Sequence, residues 1–170
     1  MNDSNNLSLL ILAKLEEQIE RADHLIALVP MDKLEWQPVP ESFRVCDLLG
    51  HLLECLAGFC AALYAIDPQR LAHFARLREM KVNHCCGVEE ARERMQQYLV
   101  YIREGFANLT DHDLSRRLPT VFANEGEAVL TILLGNLEHL INHKHQLFSY
   151  LKMLGVQVAT ADLYRIRTGS

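Results

Sequence analysis

Apolar side chains recur along the chain at intervals of three and four residues. Leu7, Leu10, Ile11, Leu15, Ile19, Ala22, Ile26 and Val29 form one such stripe, which predicts an amphipathic helix over residues 7 to 29. Pro30, Pro38 and Pro40 then break the pattern, since each lacks an amide donor and disfavours helix at the residue before it, so residues 30 to 42 read as a loop. Ser42 is a suitable N-cap for a second helix reaching Ile66, with Leu48, Leu49, Leu52, Leu53, Leu56, Phe59, Cys60 and Leu63 covering a wide apolar arc. Such an arc belongs at the centre of a core. Pro68 can open a shorter helix through Met80, carrying Leu71, Phe74, Ala75 and Leu77.

Gly87 separates that piece from a third long helix over residues 88 to 109, striped by Val88, Ala91, Met95, Tyr98, Leu99, Ile102 and Phe106. Residues 110 to 126 read as loop. A fourth helix, residues 126 to 154, carries Val129, Leu130, Leu133, Leu134, Leu137, Leu140, Ile141, Leu147, Phe148 and Leu151, and Gly155 suits its stop. Residues 156 to 170 form a tail. With no convincing period of two, the prediction is an all-α four-helix bundle with an extra short helix between helices two and three. One domain spans residues 1 to 170, its core about 7 to 155.

Composition narrows the function classes. A chain of 170 residues with 49% hydrophobic and 23% charged residues can bury about 70% of its unfolded surface in one core. The net charge of −5, with basic residues scattered, lacks the attraction that phosphate backbones require, so nucleic acid is not expected as a partner. Five cysteines, an odd number with no Cys-x-x-Cys pair, suit a reduced, cytoplasmic setting. The start of the chain is polar without a basic region, and no run of about 18 apolar residues stands out, so neither signal peptide nor membrane association is expected.

Gly-rich phosphate loops, Gly-x-Ser-x-Gly and His-Glu-x-x-His are all missing, and no histidine has a Glu three residues before it, which disfavours the ferritin-like di-iron arrangement. What remains is His139 and His143 in NLEHLINHKHQLFSYLKMLG. Residues four apart on a helix differ by about 40° around the axis, so both imidazoles leave one face and can converge on one ion. Eight histidines in 170 positions give some pair four apart by chance in roughly one such composition in three, so the pair alone does not single out a metal. In projection, Ile132, Asn136, Gln146 and Tyr150 lie within about 60° of His139 at the rim of the apolar arc, whereas His145 points about 120° away, toward solvent. His51, bordering the arc of helix two with Asp47, Glu54 and Cys55 within a turn, offers a third ligand. Two imidazoles from one helix and one from another would leave a position for water or substrate, as in an open catalytic site; three unrelated histidines are the other reading.

The segment WQPVPESFRVCDLLGHLLE (Trp36 to Glu54), with HLINHKHQLFSYLKMLG (His139 to Gly155) downstream, resembles the DinB/YfiT-like family of metal-dependent helical bundles. That family has a Trp- and Pro-rich loop, a histidine in helix two, and a last helix of the form His-x-x-x-His-x-Gly-Gln ending in Tyr-Leu-Arg-x-Leu-Gly. His51, His139 and His143 match its three metal-ligand positions, Gln146 its Gln, and YLKMLG its last element. Two positions depart from it: the Gly is His145, and a serine or threonine often found early in helix two is Arg44.

The resemblance implies a bundle, often a homodimer, that binds nickel, zinc or another divalent ion. It implies an enzyme acting on a small-molecule substrate, of thiol-dependent transferase or hydrolase type, with a low-molecular-weight thiol as cosubstrate and no catalytic group beyond metal-bound water or thiol. A non-catalytic dimeric bundle with a structural or vestigial metal site is the alternative. Around the ligands, Glu54 either orients His51 or is surface charge, Cys55 is a ligand or a buried apolar group, and Gln146, Tyr150 and Trp36 line the pocket or pack beneath it. His84, Cys85 and Cys86 are too close in sequence to chelate one ion together, and His24, His73 and His112 stay unassigned.

Overall fold

The computed structural model describes residues 6–81, 84–120 and 124–165. Its architecture is all-α, as the periodicity predicts. Four long helices, α1 (Leu7–Ala27), α2 (Val45–Ile66), α3 (Val88–Ala107) and α4 (Val129–Met153), form the bundle, and a short α5 (Thr160–Leu163) follows. The stretch Ala72–Glu79 between α2 and α3 is helical but of the tighter 3-10 kind.

α1 begins where the Asn6 side chain accepts the Ser8 amide, and the Asp111 carboxylate accepts the Leu7 and Ser8 amides at 3.1 Å. Those first-turn donors have no partner inside the helix, and a carboxylate there also complements the helix dipole. At the far end of the bundle α4 closes in a Schellman motif. The Val156 amide donates to Leu151 and the Gly155 amide to Lys152, with Gly155 at φ +81°, a conformation that a Cβ would disfavour.

Neighbours in the bundle are α2 with α3, α2 with α4, α1 with α3 and α1 with α4. Sequential helices α1 and α2, and likewise α3 and α4, therefore face each other across the diagonals. His51 meets His143 while Gly58 meets Asn136, so α2 and α4 run antiparallel; Cys86 meets Cys46 while Gly105 meets Leu63, so α2 and α3 run parallel. A parallel pair needs a connection that travels back along the bundle, and the 3-10 stretch Ala72–Glu79 lies in that connection.

α2 is the central element, buried on nearly all sides from Val45 to Ile66. It is long and apolar enough by length and composition to cross a membrane, a point that a search for unbroken apolar runs misses, but most of it is buried inside the bundle. It starts three residues later than the expected cap at Ser42. The Ser42 hydroxyl instead donates to the Val39 carbonyl, and the first amides of α2 find the carbonyls of Trp36 and Leu34. Loop carbonyls thus replace a side-chain cap and hold residues 34–44 over the end of the bundle where His51 lies.

The region expected as a loop, residues 110 to 126, runs into a two-stranded antiparallel ribbon, β1 (Arg117–Leu118) with β2 (Glu127–Ala128). Strands of two residues are too short to show a period. The expected tail also carries structure: Leu163 of α5 is 6% exposed, and its carbonyl accepts from Lys144 Nζ, itself 2% exposed and bonded to Gln18.

Cysteine chemistry departs most from expectation. Cys46 and Cys85 form a disulfide, although 39 residues separate them and no spacing announces the pair. Gly50 makes the approach possible, since a Cβ there would sit 1.8 Å from the His84 carbonyl oxygen, so only glycine lets this loop lie on α2. The other three cysteines, Cys55, Cys60 and Cys86, are free and buried.

Candidate metal centre

His51 sits in the second turn of α2, while His139 and His143 occupy successive turns of α4. Because these helices run antiparallel as neighbours, the three rings meet: His51 Nε2 lies 3.2 Å from His139 Nε2 and 3.0 Å from His143 Nε2. Among the described residues they form a group whose donor atoms all lie within 4.8 Å of one another.

The hydrogen-bonding around the rings fixes which nitrogens face inward. His51 Nδ1 is 2.7 Å from Glu54 Oε2, and His143 Nδ1 is 2.9 Å from Gln146 Oε1; both partners are acceptors, so both Nδ1 atoms carry the proton. In neutral rings the Nε2 lone pairs then point at one another, an arrangement that a cation between them relieves. Burial and the neighbouring His51 hold His139 below the usual histidine range, and burial does the same for His143 against the Gln146 hydrogen bond. Neutral imidazole, the form that ligates, is thereby favoured.

Distances test the fit. Nitrogens about 2.0–2.1 Å from one ion at 90–109° stand about 2.9–3.4 Å apart, and the observed separations of 3.0 and 3.2 Å fall inside that range. The three histidines could hold one divalent ion.

Beyond them a further layer holds the geometry. Gln146 Nε2 donates to the Tyr150 hydroxyl at 3.0 Å, and the Trp36 ring meets Tyr150 edge-on at 5.4 Å, so the Trp-containing loop braces His143 through two side chains. Phe43 stacks on His51 at 4.9 Å and meets His143 edge-on at 6.0 Å, walling one side. Sequence reasoning passed over Phe43, because a lone aromatic in a Pro-rich loop has no periodic partner. Arg44 is a clamp, its guanidinium bonded to Glu35 at 2.6 Å and to both oxygens of Asp47.

Cys55 is not part of this group. It is 3% exposed within the core, and burial followed by the nearby Glu54 charge pushes its thiol up to about 12. His145 is exposed, its ring 5.9 Å from that of Phe148. His24 pairs with Asp162, His73 with Glu104 and His84 with Glu90. A second cluster, Glu35 with Cys46 and Cys85, has both sulfurs committed to the disulfide.

Two recesses flank the centre. One, of about 560 Å³, is polar, lined by Glu41, Ser42, Phe43, Asp47 and Gln146, and reaches His143. The other, of about 590 Å³, is mostly apolar and ends at His139.

No family model matches the sequence, and none of the curated proteins matches it either. Among solved structures the chain is similar to the crystal structure of a DinB-like protein, YjoA, from Bacillus subtilis, with a TM-score of 0.70 and 16% identity over 91% of this chain and 99% of that one. At that identity the likeness is one of fold, and the fold of this chain is DinB-like.

Proposed function

We propose that this DinB-like bundle is a metal-dependent enzyme in which His51, His139 and His143 hold one divalent ion, nickel or zinc, for thiol-dependent transfer or hydrolysis on a small-molecule substrate. The observation that carries the reading is the convergence of the Nε2 atoms at 3.0 and 3.2 Å. Once bound, such an ion supplies Lewis acidity and lowers the pKa of a coordinated thiol or water. Glu54 and Gln146 fix the tautomers of His51 and His143, and Phe43 shields the rings from water on one side. The chain's own thiols are unsuited to attack. Burial pushes Cys55 and Cys60 up to about 12 and Cys86 up to about 11, so a thiol nucleophile comes from a low-molecular-weight cosubstrate.

A homodimer is part of the proposal, with neither nucleic acid nor membrane as partner. Leu7, Leu9 and Leu10 at the start of α1 are 42%, 45% and 58% exposed and offer an apolar contact. The second reading, a non-catalytic dimeric bundle with a structural or vestigial metal, draws on the same patch.

Metal content by mass spectrometry, with thermal melts in zinc, nickel or chelator, tests the site. His51→Ala, His139→Ala and His143→Ala should each lose most metal-dependent stabilisation, which reaches about 2.7 kcal/mol at a free metal concentration a hundred times Kd. His145→Ala should keep it. Equal losses at His145 and His143, or full retention in His51→Ala, would overturn the assignment. Metal-loaded protein that binds its ion but shows no turnover of electrophiles with any small thiol would favour the second reading.

A further inference from the structure

The apolar recess at His139 lies between α2 and α4, and on the α2 side its lining is made only of glycine and alanine. Gly58, Ala61 and Ala65 of α2 and Gly135 of α4 form its walls, where larger residues would have closed the two helices together. Among the described residues the lining includes no lysine or arginine, and its one formal charge is Glu127 of β2. Its volume of about 590 Å³ falls within the 300–1,000 Å³ usual for small-molecule sites.

One polar group stands out on these walls. Asn136, one turn before His139 on the same face of α4, lies over Gly58, with its carboxamide atoms 3.4 Å from where a Cβ there would be. It makes no hydrogen bond to another described residue, so its donor and acceptor both face the recess without a protein partner.

Resting on the metal-enzyme reading above, we infer that this recess is the substrate pocket of the histidine centre and takes a neutral molecule with an apolar body and one uncharged polar group, held by Asn136. An apolar body displaces water from the glycine and alanine walls, and the carboxamide can pair with a carbonyl, amide or amine without charge. In the metal-free protein an anionic body meets Glu127 with no lysine or arginine on the described walls to compensate. The polar recess on the His143 side, with Glu41 and Asp47 on its walls, is left for the cosubstrate.

Two dyes that share one aromatic body test the pocket in chelator-treated protein: neutral N-phenyl-1-naphthylamine and its sulfonated relative 8-anilino-1-naphthalenesulfonate. The neutral dye should bind at one site per chain, at least tenfold more tightly than the anion. Gly135→Leu should weaken it tenfold or more. A Cβ at Gly135 meets nothing within 4 Å, and Gly to Leu favours an exposed helix, so this variant fills the recess without threatening the fold. Ala75→Leu is the control, because Ala75 lines only the neighbouring apolar cavity of about 550 Å³ beneath the 3-10 stretch, which meets the recess at Ala61 and Ala65. It should leave binding unchanged.

His51→Ala should keep dye affinity within twofold. Nickel should quench the bound dye in the parent protein, whereas zinc should not, and His51→Ala should show no quenching by either. Absence of binding, equal affinity for the anion, loss in Ala75→Leu or retention in Gly135→Leu would each overturn the pocket. Dye binding with these preferences in a protein that takes up no metal would overturn the metal reading alone, and nickel uptake without quenching would separate the pocket from the centre.

Discussion

Gln146→Leu is the substitution that separates a built metal site from three histidines that happen to meet. Gln146 touches no donor nitrogen; it acts through His143, accepting from Nδ1 at 2.9 Å and donating to the Tyr150 hydroxyl at 3.0 Å. Leucine keeps the volume and removes both bonds, so the His143 ring is free to turn and to exchange tautomers. Loss of such an outer partner typically costs 10–100-fold in metal affinity, or about 1.4–2.7 kcal/mol. For a chain of this size 1 kcal/mol moves Tm by about 2–4 °C, so the metal-induced rise in Tm should shrink by about 3–10 °C. Tyr150→Phe, which keeps the ring under Trp36 and removes only the acceptor for Gln146, should cost no more than about 1 kcal/mol. Competition against a chromophoric chelator reads both affinities directly. Gln146→Leu within twofold of the parent, or Tyr150→Phe as damaging as Gln146→Leu, would refute the positioning role.

Three further outcomes concern the disulfide, Lys144 and the histidines. Reducing the Cys46–Cys85 disulfide, or Cys85→Ser, should lower stability by up to about 4 kcal/mol from the loop it closes, measured by urea melts with and without reductant; an unchanged midpoint would show the bond contributes nothing. Burial pushes the Lys144 ammonium down to about 8, so between pH 8 and about 10.4 the unfolded chain holds more protons and stability should rise with pH, by on the order of 3 kcal/mol. Lys144→Met should flatten that rise, and a parent-like slope in the variant would reject it. His139 and His143 are likewise held down, so metal-free protein should gain stability as pH climbs toward about 6.5, and the double alanine variant should lose that gain in chelator-treated melts.

Much of the bundle is legible in the sequence because burial and periodicity carry the same information. Ile11, Leu15, Ile19, Ala22 and Ile26 of α1 and Met95, Tyr98, Ile102 and Phe106 of α3 repeat at helical spacing and are buried. Leu7 and Leu10 at the start of the α1 stripe and Leu134 in the apolar arc of α4 depart from it, at 42%, 58% and 47% exposed. Ends of elements are less legible. Ser42 has the chemistry of a cap, but the carbonyls of Leu34 and Trp36 already satisfy the first amides of α2, and which carbonyls reach them is a matter of loop path. The disulfide and the docking of Leu163 on Lys144 depend on contacts 39 and 19 residues apart, for which a local pattern has no signal.

The histidine group shows where the division lies. Spacing alone places His139 and His143 on one face, because 3.6 residues per turn make that a local property. Bringing His51 to them depends on α2 and α4 being antiparallel neighbours in register, a global property that the periodicity of a single helix does not carry. The same register determines what flanks the centre. Sliding α2 along α4 by one turn, about 5.4 Å, would part His51 from both partners and also carry Gly58 away from Asn136. Histidine convergence and the recess at His139 are therefore two consequences of one helix pairing, and a substitution that shifts α2 along α4 should disturb both together. Gly135→Leu, confined to the open wall, should disturb the recess alone.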